Sequence, residues 1–165
     1  MAKAMIRLDN VQFTHDGSLI KSAKYMGSGS TATAIENGNF VALDGLVDGE
    51  REIHKATKPS ANSTYFGVVC TPEVEYSEVG YHGLDTFENE ADSVIRVGIL
   101  SKGDIFSVTE EALSEVPTVG QVVELQVGTK GKVVAAPGTS SSTQVGKVIA
   151  VETSGRFTWY VIEVQ

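Results

Sequence analysis

The stretch Gln144-Val-Gly-Lys-Val-Ile-Ala-Val-Glu-Thr-Ser-Gly-Arg-Phe-Thr-Trp-Tyr-Val-Ile-Glu-Val164 decides the fold of this chain of 165 residues. Two runs rich in Val, Ile and aromatic residues flank the tetrapeptide Glu152-Thr-Ser-Gly155. A glycine at this place can adopt the positive φ that a tight turn requires. The stretch therefore predicts a β-hairpin.

The second arm of this hairpin carries apolar residues on both of its faces. Phe157, Trp159 and Val161 alternate along it with Tyr160 and Ile162, and successive side chains of a strand point to opposite sides of the sheet. A strand with one face in water would alternate apolar with polar side chains instead. We therefore expect this strand to be covered on both sides, by a core and by a neighbouring sheet or subunit.

Short β-strands are also predicted upstream of the hairpin, from Thr31 onward, because β-branched and aromatic runs alternate there with Gly, Asp and Asn turn signals. The predicted strands cover residues 40–43, 50–56, 65–70, 94–100, 104–108, 122–127 and 132–136. Two further hairpins are predicted among them, one turning at residues 101–103 and the other at 128–131.

One helical signal interrupts this pattern. Ser107-x-x-Glu110 fits a capping box, and Pro117 limits the helix to one or two turns. The predicted fold class is therefore all-β, mainly an antiparallel small β-barrel or sandwich with at most one or two short helical turns, and with an extended N-terminal arm.

The arm is predicted for residues 1–30, where a few apolar residues are spread among polar ones and a Gly-Ser-Gly-Ser linker follows. Such a segment is either an N-terminal strand of the domain or an arm that becomes ordered against a partner. We favour the arm, and predict that deleting residues 1–28 leaves a folded protein that no longer binds its partner. The predicted partner-binding residues are Ile6, Leu8, Val11, Phe13, Leu19, Ile20 and Tyr25.

Residues 31–165 form the predicted β-rich domain, which a weak internal repeat would divide into related halves at residues 31–92 and 93–165. The repeat aligns Gly38 with Gly120 and Gly67 with Gly146, each followed by Val-rich sequence. Within the first half, residues 71–92 are acidic and carry the rings of Tyr76, Tyr81 and Phe87; they predict a long surface loop.

Several classes of function are disfavoured by composition and motifs. A net charge of −8 repels nucleic acids, and no apolar run reaches the length of a membrane span. The single cysteine, Cys70, ends an apolar run and is expected to be a buried hydrophobe. His15, His54 and His82 lie in no catalytic motif. We therefore predict a non-enzymatic protein without catalytic residues, cofactor or metal.

The order of these Gly-punctuated strands resembles that of capsid decoration, or cement, proteins of tailed bacteriophages. The resemblance is carried by residues 37–45, 65–69, 94–108, 119–125 and 145–150. It implies a protein without enzymatic activity that binds the major capsid protein on the outside of the virion, is often a homotrimer, and bridges neighbouring capsomers. Synthesis in the host cytoplasm and binding through residues 1–30 would fit that role.

Two other functions remain open from the sequence. One is another head or tail component of a virion, such as an adaptor, a fibre base or a tail-tube-like subunit. The other is a carbohydrate-binding or ligand-binding β-module, in which Tyr65, Tyr81, Trp159 and Tyr160 would be the stacking residues.

Overall fold

The computed structural model describes residues 1–27, 29–74 and 83–165, which form eleven β-strands and four 3-10 turns. The fold is all-β, as predicted. The strands are β1 (Ile6–Asn10), β2 (Ile20–Tyr25), β3 (Phe40–Leu46), β4 (Ile53–Thr57), β5 (Phe66–Val69), β6 (Ile95–Gly98), β7 (Ile105–Val108), β8 (Val122–Gln126), β9 (Gly128–Val134), β10 (Gln144–Ser154) and β11 (Phe157–Val164). The 3-10 turns are Gln12–Thr14, Gly17–Leu19, Leu84–Thr86 and Glu110–Ala112.

Strands β2 to β6 form a closed five-stranded barrel in the order β2-β4-β3-β5-β6. Strands β2 and β4 run parallel, and the other neighbours are antiparallel. The remaining strands form a six-stranded antiparallel sheet in the order β1-β7-β11-β10-β8-β9. The sheet is open, so β1 and β9 are its edges.

Alternation along the barrel strands separates two hydrophobic cores. On β3, Val41 points into the barrel, whereas Phe40 points out of it toward the six-stranded sheet. The ring of Phe40 meets the ring of Phe106 on β7 edge to face, with 6.4 Å between their centroids. The larger core therefore joins the outside of the barrel to one face of the sheet, while the smaller core fills the barrel.

The C-terminal hairpin is confirmed. Strands β10 and β11 pair from Gly146–Val164 to Ser154–Phe157, and Gly155 has a φ of +61°. Tyr160 and Ile162 face the larger core. On the opposite face Trp159 and Val161 are also buried, but the guanidinium of Arg7 lies 5.3 Å from the Trp159 ring centroid. A side chain of the same sheet thus covers the tryptophan, and the predicted contact of this face with another subunit stays a prediction.

The predicted hairpin at residues 101–103 is wrong. Its two arms are β6 and β7, which belong to different sheets and do not pair with each other. The second predicted hairpin exists, but its turn is shorter: β8 ends at Gln126 and β9 begins at Gly128, so residues 128–131 belong to a strand. In both cases the short apolar runs predicted strands that are present, but they did not predict the partners of β6 and β7 or the length of the β8–β9 turn.

The predicted capping box does not form. Ser107 lies in β7 and its hydroxyl donates to the carboxylate of Asp9, so it does not cap a helix. The short 3-10 turn at Glu110–Ala112 follows Thr109, whose side chain makes no capping hydrogen bond. Pairing of β7 with β1 and β11 therefore takes precedence over the local helical signal.

The N-terminal segment differs from the predicted arm, because it belongs to both sheets. Strand β1 pairs with β7, and β2 closes the barrel by pairing with β4 and β6. Between them the Phe13 ring is buried in the larger core. The chain changes from one sheet to the other between β1 and β2 and again between β6 and β7, so neither change coincides with the boundary predicted at residues 30/31 or with the division at 92/93.

The two segments aligned by the internal repeat adopt the same pairing. Gly38 and Gly120 both have positive φ and precede β3 and β8. Strand β3 pairs with β5 in the barrel, and β8 pairs with β10 in the sheet. The aligned residues occupy equivalent registers, with the pairs Phe40↔Val68 and Val41↔Gly67 in the barrel and Val122↔Lys147 and Val123↔Gly146 in the sheet.

Candidate functional site

The seven residues predicted to bind a partner do not form one exposed surface. Val11, Phe13 and Tyr25 are buried in the two cores. Ile6, Leu19 and Ile20 are partly buried and pack against the larger core. Only Leu8 is exposed, at 37%. The six side chains other than Leu8 therefore pack within the fold, and any contact surface would be formed by other residues.

Exposed aliphatic side chains occur on β10 and in the turn that precedes β8. We call Val119, Ile149 and Val151 the β10 flank; they are 61%, 38% and 43% exposed. Monomeric proteins expose single apolar side chains commonly but grouped ones less often. The β10 flank is therefore one candidate contact surface among the described residues.

Backbone hydrogen bonds bring Val119 to this strand. The Gly120 N–H donates to the Val148 carbonyl over 2.8 Å, and the Val148 N–H donates to the Gln121 carbonyl over 2.8 Å. The turn before β8 therefore continues the β8–β10 pairing and lies beside Ile149. Ile149 is the extra residue of a β-bulge, because Val148 pairs with Ile162 and Ala150 with Val161.

Val151 is exposed although it lies on the face of β10 that is directed toward the larger core. It pairs with Tyr160, whose side chain faces the larger core, and directly paired residues project from the same face. The β10 residues Val151–Ser154, at the end of the hairpin, are exposed. Sequence reasoning missed Val119; the only signal was a valine in the loop between Pro117 and Gly120, where polar residues are usual.

The charged residues around the hairpin are largely paired. Arg7 contacts the Glu152 carboxylate at 2.6 Å and the Asp9 carboxylate at 2.7 Å. Arg156 contacts Asp85 at 2.8 Å and lies over the Phe157 ring, 4.9 Å from its centroid. The hairpin that carries Ile149 and Val151 therefore also carries charged side chains that are ion-paired.

The aromatic residues considered for ligand stacking do not form a common platform. Trp159 is buried beneath Arg7 on one face of the sheet, and Tyr160 is buried on the other face. Tyr65 belongs to the barrel, where its carbonyl accepts from the Leu43 N–H. Tyr81 and Tyr76 lie outside the described residues. This separation gives no support to a carbohydrate-binding face.

Histidine and acidic residues assemble no recognisable site within residues 1–27, 29–74 and 83–165. His54 contacts the carbonyl oxygen of Asp44 at 3.1 Å through Nδ1, and His15 is exposed; His82 is outside these ranges. The same ranges contain no group of three or more His, Cys, Asp or Glu residues arranged to hold a metal ion. They also contain no helix with the length and apolar character needed to cross a bilayer.

Cys70 is a buried part of the larger core, and burial raises the pKa of its thiol to about 12. At pH 8 only about one thiol in ten thousand would then be the reactive thiolate. We expect 5,5′-dithiobis(2-nitrobenzoate) to leave the native protein unlabelled for hours and to label one thiol immediately in guanidinium chloride. Labelling of the native protein within minutes would contradict this environment.

Comparison of the chain with protein-family models, curated protein sequences and solved structures gives no significant match.

Proposed function

We propose that this protein binds the outer surface of a tailed-phage capsid and stabilises the shell by bridging neighbouring capsomers. The observation that carries the proposal is the β10 flank, a set of exposed aliphatic side chains on an all-β fold that has two hydrophobic cores. The proposed partner is the major capsid protein, with self-association of this chain into a trimer on the shell. The proposed location is the exterior of the virion.

The physical requirements of such a role match the properties of the chain. A repeated shell offers many identical sites, so modest contacts add up through multivalency without a deep pocket. A rigid scaffold reduces the entropy lost on binding. The net charge of −8 disfavours contact with the packaged nucleic acid. Together these properties favour adhesion through a surface over chemistry in a pocket.

The proposal predicts that a charge on the β10 flank weakens capsid binding. Val119→Asp and Ile149→Asp should each weaken cosedimentation with expanded, DNA-free capsids of the phage that encodes this protein by about tenfold or more. Each variant would replace an aliphatic contact, buried on binding, with a desolvated charge. Binding is measured as the bound fraction over a range of protein concentrations.

Val127→Asp is the matched control, since Val127 is 83% exposed and lies at the other end of β8. It should bind like the wild type. If Val119→Asp and Ile149→Asp also bind capsids as tightly as the wild type, the β10 flank is not the contact surface. Cosedimentation of the wild type with purified tails, and not with capsids, would support a tail component instead.

A further inference from the structure

The chain contains three Asp-Gly dipeptides, which begin at Asp16, Asp44 and Asp48. This dipeptide can isomerise spontaneously, through attack of the glycine nitrogen on the carboxyl carbon of the aspartate side chain. Glycine favours the reaction because it has no Cβ to obstruct the five-membered ring that forms. In a folded protein the rate depends on how each carboxyl group is held, and the structure holds these three differently.

Asp44 and Gly45 lie in an irregular part of β3. The register of the β3–β4 pairing shifts between Leu43 and Leu46, so the two residues between them have no partner on β4, and β5 pairs only with residues 40–42. Both residues are exposed, and nothing lies within 4 Å of the place where a Cβ of Gly45 would be. A ring can therefore form here without breaking a paired part of the barrel.

The Asp44 carboxyl group is turned toward the nitrogen that would attack it. The Gly45 N–H donates to Asp44 Oδ1 over 2.8 Å, and this hydrogen bond holds the carboxyl group against the following peptide unit. Holding two reacting groups beside each other removes much of the entropy cost of bringing them together. The native conformation of Asp44 is thus close to the one that the reaction requires.

His54 contacts the same peptide group. Its Nδ1 lies 3.1 Å from the backbone carbonyl oxygen of Asp44, which is the oxygen of the Asp44–Gly45 peptide bond. A carbonyl oxygen can only accept, so Nδ1 carries the proton in this contact. The Gly45 nitrogen becomes nucleophilic when it loses its proton, and the negative charge then spreads onto this oxygen. A hydrogen bond donated to that oxygen therefore favours the attack.

The other two Asp-Gly sites are held differently. The Asp16 carboxylate accepts from the Ser18 hydroxyl over 2.7 Å and from the Ser18 N–H over 3.0 Å. These bonds lower the pKa of Asp16 and so favour its ionised form, which is the less reactive one. The Asp48 carboxylate contacts the ammonium of Lys55 at 3.3 Å. Each of these carboxylates is thus bound to a group other than the nitrogen of the next glycine.

The one Asn-Gly dipeptide of the sequence, Asn37-Gly38, is protected by the fold. Asn37 is 1% exposed, and its side-chain amide donates to the carbonyl oxygen of Thr71 over 2.8 Å. The Gly38 N–H donates to the carbonyl oxygen of Val69 over 2.8 Å. Both reacting groups are held by other partners, so we expect this pair to react only in the unfolded chain.

We infer that Asp44 is a site of spontaneous modification, at which the folded protein converts the Asp44–Gly45 bond into an isoaspartyl linkage. The Gly45 nitrogen bonds to Cγ of the protonated carboxyl group, and the nitrogen proton leaves with the hydroxyl as water, which gives a succinimide. Water then opens the ring at the α-carbonyl, so that the chain continues through Cγ and the α-carboxyl group becomes free. The mass and the number of carboxyl groups are unchanged. This inference does not depend on capsid binding.

The test incubates the full folded chain for several weeks at about 37 °C and about pH 6. Tryptic peptides 8–21 and 25–51 contain the three sites, and electron-transfer fragmentation locates isoaspartate at each position. We expect isoaspartate at Asp44 to exceed that at Asp16 and at Asp48 by about fivefold or more, with Asn37 unchanged.

The chain unfolded in guanidinium chloride is the matched control. There the three Asp-Gly sites should react at similar rates, and Asn37 should deamidate. Equal accumulation at the three sites of the folded protein, or less at Asp44 than at the other two, would overturn the inference.

Two variants test the arrangement itself. Gly45→Ala has room for its methyl group in the fold but obstructs the ring, so isoaspartate at Asp44 should fall by about tenfold. His54→Ala removes the donor to the carbonyl oxygen and should slow the reaction at Asp44 by about threefold, with the rate at Asp16 unchanged. His54→Gln should restore part of the rate, because its amide can donate instead.

If His54→Ala does not fold, Gly45→Ala alone decides. Wild-type accumulation of isoaspartate in Gly45→Ala would overturn the assignment of the Gly45 nitrogen as the attacking atom. A wild-type rate in folded His54→Ala would overturn the role of the imidazole.

Discussion

Deletion of residues 1–28 is expected to unfold this protein. The deletion removes β1 from the edge of the six-stranded sheet and β2 from the barrel, which then cannot close between β4 and β6. It also removes Phe13 from the larger core, and loss of one buried phenylalanine side chain alone costs about 3–5 kcal/mol. Because a domain has only about 5–15 kcal/mol of net stability, the combined loss exceeds what the remaining chain can supply.

Circular dichroism and thermal melting of the deleted chain measure this outcome, and loss of a cooperative transition is the expected result. Deletion of residues 1–2 is the matched control, because Met1 and Ala2 are exposed and precede β1. It should melt like the full chain. A cooperative melt of the chain that lacks residues 1–28 would contradict this prediction and show that the segment is an arm that the rest of the fold does not need.

Gly146→Ala is expected to lower the melting temperature by about 10 °C. Gly146 lies in β10 opposite Val164 and Val123, and a Cβ at this position would collide with the backbone carbonyl of Glu163. A backbone atom of a central strand cannot move aside as a flexible side chain can. Overpacking of this kind costs about 3 kcal/mol, and each kcal/mol corresponds to about 2–4 °C in a chain of this size.

Gly45→Ala makes the same chemical change where there is room. Gly45 lies in β3, and nothing is within 4 Å of the place where its Cβ would be. This variant should match the wild type or gain about 0.5 kcal/mol through the smaller entropy of its unfolded chain. Scanning calorimetry of both variants checks the contrast, and equal melting temperatures for the two would show that β10 and β11 are more loosely packed than the structure indicates.

The parts of the fold that could be predicted from sequence are those that local chemistry determines. The C-terminal hairpin is one, since Gly155 supplies a positive φ between two runs of β-forming residues. The parallel pairing of β2 with β4 is not local, because it joins Ser22 to Ile53 across the chain. The same holds for β1, whose partner β7 lies about a hundred residues away. Such pairings depend on which strand faces are buried against each other, and the pattern of residues within one strand does not predict this.

The candidate surfaces were harder to predict for a related reason. Apolar residues such as Phe13 are equally consistent with a core and with a partner-binding arm, and only the pairing of β1 and β2 assigns Phe13 to a core. Val119 gave little signal because exposure of a valine depends on what packs above it.

The two edges of the open sheet determine how copies of this protein can associate. At β1 the register is interrupted between Leu8 and Asn10, and at β9 the Leu113–Gly131 bridge occupies part of the free side. Irregularities and coverings of this kind prevent a sheet from growing by addition of a strand from another molecule. Copies of this protein that meet at high concentration are therefore expected to contact one another through side chains, so that they remain separate molecules and do not polymerise into fibrils.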